Sequence, residues 1–447
     1  SRRRRHTRLA ILSRGLGDVY KRQLKARAVE NAELAAKKNP DQLNIALIGA
    51  GAQGRILTES CLRIPGVRFV AVCDIWEYNQ RYTSRYIQKY GHDVNVYVDY
   101  KEMLANEKDQ LDAVVVATPD WMHAEHANAC MEAGLHVYCE KEMSNSLEKA
   151  ATMVKTAAAT GMVMQIGHQR RSNPRYIHAI EKLIHQEKLL GSVTTATAQW
   201  NRAKADDIGW PEKYTMDAET LDRFGYNSMT EFRNWRWYKK YGGGPIVDLG
   251  SHQIDLFEWV WETNPKTVIA SGGTDFYDHR EWYDNVMCVY EYDTPEGVAR
   301  AFYETQTTTG HRGFSEAFRG TNGTIEIAEV PQRGNSALRE AHAPEWDVFA
   351  KNGLIKKVAA PIKKTSTKNV AVDVRVTAEA GAWPLPVDLT KPAHQPHLEN
   401  FFNAIRYGTE LNCPAHKGYE TCVAVLAVNR AVASQQRIEF NPSDFHV

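Results

Sequence analysis

Gly49, Gly51 and Gly54 stand in G-x-G-x-x-G spacing, with Ala52 and Gln53 filling the last gap, and an acid, Asp74, follows about 20 residues on. Each glycine in that spacing has its own task. The first permits a tight turn, the second lets backbone approach a pyrophosphate, and the third lets a helix pack close while its N-terminal amides face the anion. Asp74 closes the next apolar run, where a carboxylate accepts hydrogen bonds from ribose hydroxyls and repels a 2′-phosphate. Ile75 and Trp76 bring no arginine to hold such a phosphate, so the pattern points to NAD rather than NADP. A packing turn with Asp74 as a helix cap is the plainer alternative, and strand, loop, helix and acid in succession weigh against it.

Two further places carry reactive side chains. Lys141 comes just after the apolar run LHVYC, where a cation can polarise an oxygen or lower the pKa of a bound hydroxyl. A solvated strand end explains a lone lysine equally well. Further on, GGGPIVDLGSHQIDLFEW sets Asp248 and His252 four residues apart on one face of an expected helix. Asp255 and Trp259 continue that stripe, with Leu249, Leu256 and Val260 beside it as an apolar anchor. An imidazole titrates near neutrality, which suits removal of an alcohol proton while hydride leaves the same carbon. An Asp and His satisfying each other in the core is the competing account.

Such residues need a scaffold, and the first half of the chain supplies one by alternation. LNIALI, VRFVAVC, VNVY, DAVVVAT, LHVYC and MVMQI are short apolar runs, separated by amphipathic stretches with helices expected over 77–89, 120–132 and 147–160. Continuous apolar strands joined by helices imply a doubly wound parallel sheet covered on both faces. Ligands in such sheets bind beyond the carboxyl ends of the strands, where ATPDWMH and CEKEM fall. The rest of the composition narrows the partners. With 447 residues, 43% of them apolar, the chain buries enough for two domains, and a net charge of +1 gives no field to attract nucleic acid. Its seven cysteines are scattered and never spaced C-x-x-C, which argues against a disulfide framework or a metal site. No apolar run approaches the ~20 residues that span a bilayer.

In order along the chain, GAGAQG, ATPDWMHAEHANACMEAGLHVYCEKEM, IGHQRRSNP, GGGPIVDLGSH, GTNGTIEI and HLENFFNAIRYGTE resemble the motifs of the Gfo/Idh/MocA oxidoreductases, from about Leu43 to the C-terminus. The resemblance implies a Rossmann doubly wound parallel sheet followed by an α+β domain with a large open, mostly antiparallel sheet that serves in homo-oligomers, dimers or tetramers. It places Lys141, Asp248 and His252 at the catalytic positions, with His252 as acid/base. Thr118, Pro119 and His123 match the loop beside the nicotinamide, Glu140 precedes the lysine, and Arg171 matches an arginine near the site. Glu142 stands where the family usually has proline after that lysine. The implied reaction is NAD-dependent oxidation of a secondary hydroxyl on a sugar, polyol or glycoside. An NAD-dependent glycosidase working by transient oxidation, and a nucleotide-sensing protein without catalysis, are the alternatives.

The expected division is 43–167 for the NAD-binding domain, 168–393 for a substrate and oligomerisation domain, and 394–447 for C-terminal helices packing back on the core. Residues 1–23, opening on Arg2, Arg3, Arg4 and Arg5, read as a leader foreign to the fold, with 24–42 as an extension; cytoplasm or bacterial periplasm is therefore left open. The stretch from Trp200 to Tyr241 is long and aromatic. Trp235 and Tyr238 are taken from it as substrate contacts, since aromatic faces stack on sugars, although large rings are also ordinary core. A second insertion, about 330–392 and containing KKTSTK, has no functional reading.

Overall fold

Strands apolar on both sides are stable only inside a sheet covered twice, and five of the first six meet that condition, the exception being the exposed edge strand Asn95–Tyr97. The computed structural model describes residues 41–357 and 381–447. The leader, the extension up to residue 40 and KKTSTK lie outside the described residues. β1 (Leu43–Ile48), β2 (Val67–Cys73), β3 (Asn95–Tyr97), β4 (Ala113–Val116), β5 (His136–Cys139) and β6 (Met164–Ile166) form a six-stranded parallel sheet in the order β3-β2-β1-β4-β5-β6. Between them run α1 (Ala52–Cys61), α2 (Glu77–Gln88), α3 (Tyr100–Glu107), α4 (Asp120–Glu132) and α5 (Leu147–Thr160). The chain reverses its direction of travel across the sheet between β1 and β4, which opens a crevice over their carboxyl ends.

After β6 the chain enters α6 (Pro174–Ile177), which continues as a π-helical stretch, His178–Gln186. β7 (Val193–Asn201) begins the second sheet. An insertion with two short helices, α7 (Ala218–Arg223) and α8 (Met229–Arg233), then folds back over the first domain. Its Leu221, Tyr226, Met229 and Tyr241 make a small core with Trp76 from the end of β2, and Trp76 Nε1 donates to the Tyr214 carbonyl at 2.6 Å. Most of this aromatic segment is therefore core material.

The expected single helix around His252 is two pieces, a π-helical turn, Ile246–Gly250, and α9 (Ser251–Trp261). β8 (Thr267–Gly273), β9 (Asn285–Thr294), β10 (Gly297–Gln306), β11 (Phe314–Gly320), β12 (Gly323–Ile327) and β13 (Ser336–Arg339) follow, then α10 (Asp347–Lys351) and β14 (Ala382–Pro384). With β15 (Ile438–Glu439) they complete a nine-stranded sheet, β14-β13-β12-β11-β7-β10-β9-β8-β15, in which β7 and β10 are the parallel pair and the other neighbours run antiparallel. The described part of the second insertion thus extends this sheet at its β14 edge. Inner tyrosines of β9 and β10 face the helices, and Tyr290 donates to the Ala424 carbonyl of α12 (Ala415–Ser434).

The preceding helix, α11 (Gln395–Tyr407), returns to the first domain. Leu398, Phe401 and Phe402 are fully buried and pack with Ile45, Leu47 and Leu57. No helix among the described residues is long and apolar enough to cross a membrane. Because Phe402 fills core shared by α11 and β1, Phe402→Ala is expected to cost about 3–5 kcal/mol in urea denaturation. A loss under about 1 kcal/mol would mean that this helix does not hold the nucleotide domain.

Candidate active site

The turn after β1 is built so tightly that two of its positions have no room for a side chain. Gly49 has φ +91°, and a Cβ there would lie 2.6 Å from the Ala117 backbone. At Gly54 a Cβ would lie 2.0 Å from the Gly49 carbonyl oxygen, so α1 can start against the strand only with glycine there. Gly51, the N-cap of α1, is different: a Cβ would meet only the Asn79 amide, at 3.9 Å. That space lies before a helix N-terminus and fits a pyrophosphate. Asp74, at the carboxyl end of β2, accepts the Ala50 N–H at 2.8 Å and the Trp76 N–H at 2.8 Å, which fixes its carboxylate at the cleft edge. Arg233 from the insertion lies over Trp76 at 4.8 Å and lines the same end of the cleft, a cation that the residues next to Asp74 do not reveal.

The cleft, about 820 Å³, runs from Gly49, Gly51, Ala52 and Gln53 past Thr118 and Pro119 to Glu140, Lys141, Asp248 and His252. Gly54 supports it from beneath. His123 is buried, with its ring nitrogens 2.6 Å from the carbonyls of Thr118 and Glu142. It ties the loop after β4 to the loop after β5. Gln53 reaches His394, just before α11, at 3.0 Å between side-chain nitrogens, so the C-terminal segment closes one wall.

Lys141 Nζ donates to the Asp248 carbonyl at 2.5 Å, which brings the loop after β5 onto the π-helical turn. The Lys141–Glu142 peptide is cis without proline, and burial pushes the Glu142 carboxyl up to about 8. Asp248 does not pair with His252. Its two oxygens accept instead from Arg202 Nη1 at 3.0 Å and Arg236 Nε at 2.9 Å, and that pairing holds the carboxyl well below its usual range. His252 stacks on Trp200, ring centroids 5.7 Å apart, and Phe314 packs against the same indole at 4.8 Å. Its Nδ1 is buried with no partner, which leaves Nε2 as the nitrogen that reaches the cleft. Burial first, then the Lys141 charge, keeps the imidazole well below its ordinary pKa, so it is neutral at neutral pH.

Three expected residues stand elsewhere. Arg171 does not line the cleft; Nε donates to Asp255 Oδ1 at 2.7 Å in a buried pair behind His252. Asp255 is thereby turned away from the face it was expected to share, because an unpaired buried guanidinium would cost more than the exposed position gains. Tyr238 packs in the small aromatic core, whereas Trp235 does line the cleft. Sequence reasoning missed Asp120, Trp200, Arg202, Arg236, Phe314 and His394. Asp120 sits inside the quoted ATPDWMH, and burial raises it to about 7. Trp200 and Phe314 meet only because β7 and β11 pair in that register, which no local pattern discloses.

Comparison with known proteins fits this geometry. Residues 43–168 match the model described as an oxidoreductase family with an NAD-binding Rossmann fold, and 177–326 match the GFO/IDH/MocA C-terminal domain, together more than half of the chain. The chain belongs to the Gfo/Idh/MocA family. Among curated relatives, it is 32% identical over 192 residues to 4-carboxy-2-hydroxymuconate-6-semialdehyde dehydrogenase of Sphingobium sp. (strain NBRC 103272 / SYK-6), covering 42% of this chain and 59% of that protein. It is 30% identical over 220 residues to D-glucoside 3-dehydrogenase of Escherichia coli (strain K12), covering 49% of this chain and 54% of that protein. The chain thus spans little more than half the length of these relatives. Levoglucosan dehydrogenase solved with NADH superposes with a TM-score of 0.66 at 16% identity, covering 90% of this chain and 99% of that one, a likeness of fold.

The glycine geometry gives a direct check on the nucleotide cradle. Gly54→Ala is expected to weaken NADH binding at least about tenfold in a fluorescence titration while the far-UV circular dichroism stays unchanged. Unaltered affinity would mean that the start of α1 does not hold the pyrophosphate.

Proposed function

We propose that this protein is an NAD-dependent oxidoreductase acting on a secondary hydroxyl of a sugar, polyol or glycoside. The observation that carries the reading is the convergence of Lys141 and His252, from two domains, in the one cleft that the glycine turn opens into. Bound NAD supplies the hydride acceptor. Gly49, Gly51 and Gly54 would let backbone approach the pyrophosphate, and Asp74 would accept hydrogen bonds from the adenosine ribose hydroxyls. Thr118, Pro119, Glu140 and Lys141 line the approach to the reactive end.

His252 receives the hydroxyl proton at Nε2, for which a neutral imidazole is required. Lys141 donates a hydrogen bond to the same oxygen as negative charge builds on it, and its second donor contact, to the Asp248 carbonyl, keeps the ammonium aimed. Asp248 therefore positions Lys141 through its main chain and the arginines through its carboxylate. Trp200 lines the cleft beside His252 and offers an apolar edge to a sugar ring there. The name of the glucoside relative supports a glycoside hydroxyl as the target, the 3-position included.

A second reading rests on another relative, glycosyl hydrolase family 109 protein 2 of Shewanella sp. (strain ANA-3), 32% identical over 216 residues and covering 46% of this chain and 44% of that protein. Transient oxidation followed by elimination would use the same groups. A panel of polyols, sugars and glycosides separates the two: net NADH with a keto product supports oxidation, and aglycone release without net NADH supports the glycosidase. In either case His252→Ala should lower turnover by about 100-fold or more, with NADH affinity retained. Because the imidazole is held below its ordinary pKa, its labelled Cε1 resonance should not titrate between pH 6.5 and 8. A fully active His252→Ala enzyme, or a His252 titration midpoint inside that window, would exclude this role.

A further inference from the structure

The wall of the cleft beside His252 carries more positive charge than the proposed oxidation uses. Arg202 leaves the end of β7, and Arg236 comes from the 3-10 turn Trp235–Trp237 in the insertion, so two separate segments deliver them. Both meet one carboxylate, that of Asp248. One arginine would balance it. The guanidinium groups also lie over indoles, Arg202 over Trp200 at 5.7 Å and Arg236 over Trp235 at 4.3 Å from the ring centroids. Stacking fixes the planes and leaves their edges free.

Those edges are unspent. A guanidinium has five N–H donors, and among the described residues the side chains of Arg202 and Arg236 donate to Asp248 alone. Their side chains are 46% and 37% exposed, and both line the cleft. The facing carboxylates do not cancel the excess. Glu329, 3.4 Å from Arg170, shares that cation with the buried Glu316, and burial raises the carboxyls of Glu316, Glu140 and Asp120, which favours their neutral forms. Lys141 adds a further cation on the same side.

We propose that Arg202 and Arg236 form an anion-recognition site, and that the substrate is a sugar ring bearing a carboxylate or a phosphate ester. The ring lies beside His252, at the cleft edge of Trp200, while its anionic group accepts from the free guanidinium edges, a geometry that suits both oxyanions. The proposal rests on the oxidoreductase reading only in placing a sugar ring beside His252. Binding, measured without turnover, therefore tests it separately.

The test is isothermal titration of the NADH-loaded enzyme with methyl β-D-glucoside, methyl β-D-glucuronide and methyl β-D-glucoside 6-phosphate at low salt. One of the two anions is expected to bind about tenfold or more tightly than the neutral glucoside, with the preference shrinking as salt rises. Whichever anion is preferred identifies the group. In Arg202→Ala and in Arg236→Ala the ratio of anion to glucoside affinity should fall toward parity, and Arg202→Lys should keep part of it. Equal or tighter binding of the glucoside, binding of none of the three, or an anion preference untouched by both alanine variants would overturn the proposal. Absence of NADH formation alongside an intact, arginine-dependent anion preference would instead count against the oxidation and leave this site standing.

Discussion

The ammonium of Lys141, held 2.5 Å from the main-chain carbonyl of Asp248, joins the end of the parallel sheet to the turn that starts the His252 helix. A lysine at a strand end would otherwise sample many rotamers, at an ordering cost of up to about 2 kcal/mol. The bond is available because the turn Ile246–Gly250 is π-helical, a geometry that redirects carbonyls and recurs at functional sites. Gly250 lets that turn sit against β10, since a Cβ there would lie 2.9 Å from the Tyr303 ring. Sheet, turn and helix thus share one constraint, and the two reactive side chains inherit their relative position from it.

Behind the cleft lies a buried polar layer that sets the electrostatics in front. Arg170 pairs with Glu316 at 2.5 Å, Arg171 pairs with Asp255 at 2.7 Å, and Thr421 donates to Glu258 at 2.8 Å. Ion pairs this deep add little net stability, because desolvation offsets their attraction, but removing one partner is costly. The His252 imidazole is itself buried, and the charges of Lys141 and Arg170 bear on it; both effects favour its neutral form. His168, edge-on to His252 with ring centroids 6.2 Å apart, is held neutral by the same burial. A proton acceptor in this site is therefore prepared by its surroundings rather than by a partner carboxylate.

Sequence patterns disclosed the elements better than the contacts between them. The helices over 120–132 and 147–160 fall at Asp120–Glu132 and Leu147–Thr160, since each is closed by clear signals: Pro119 before the first, Ser146 and Gly161 around the second. The parallel sheet and the mostly antiparallel second sheet were both legible, the first from apolar runs and the second from family resemblance. Periodicity failed at His252, where a π-helical turn upstream shifts Asp248 out of phase with it, and where Asp255 is taken by a buried pair with Arg171. It also said nothing of Arg202, Arg236 or His394, which reach the cleft from a strand end, an insertion and the segment just before a distant helix. Their meeting depends on tertiary packing, and a lone arginine or histidine carries no local signal of it.

The most direct measurement of this arrangement is a crystal structure of the protein with NAD bound. Hydride transfer brings nicotinamide C4 to about 3–3.5 Å from the hydroxyl-bearing carbon, and the oxygen on that carbon donates its hydrogen to His252 Nε2 along a bent path. The pyrophosphate should lie over Gly51, and nicotinamide C4 should stand within about 7 Å of His252 Nε2 with Lys141 alongside. A nicotinamide ring directed away from both side chains, with no space for one carbon shared among the three, would contradict the account.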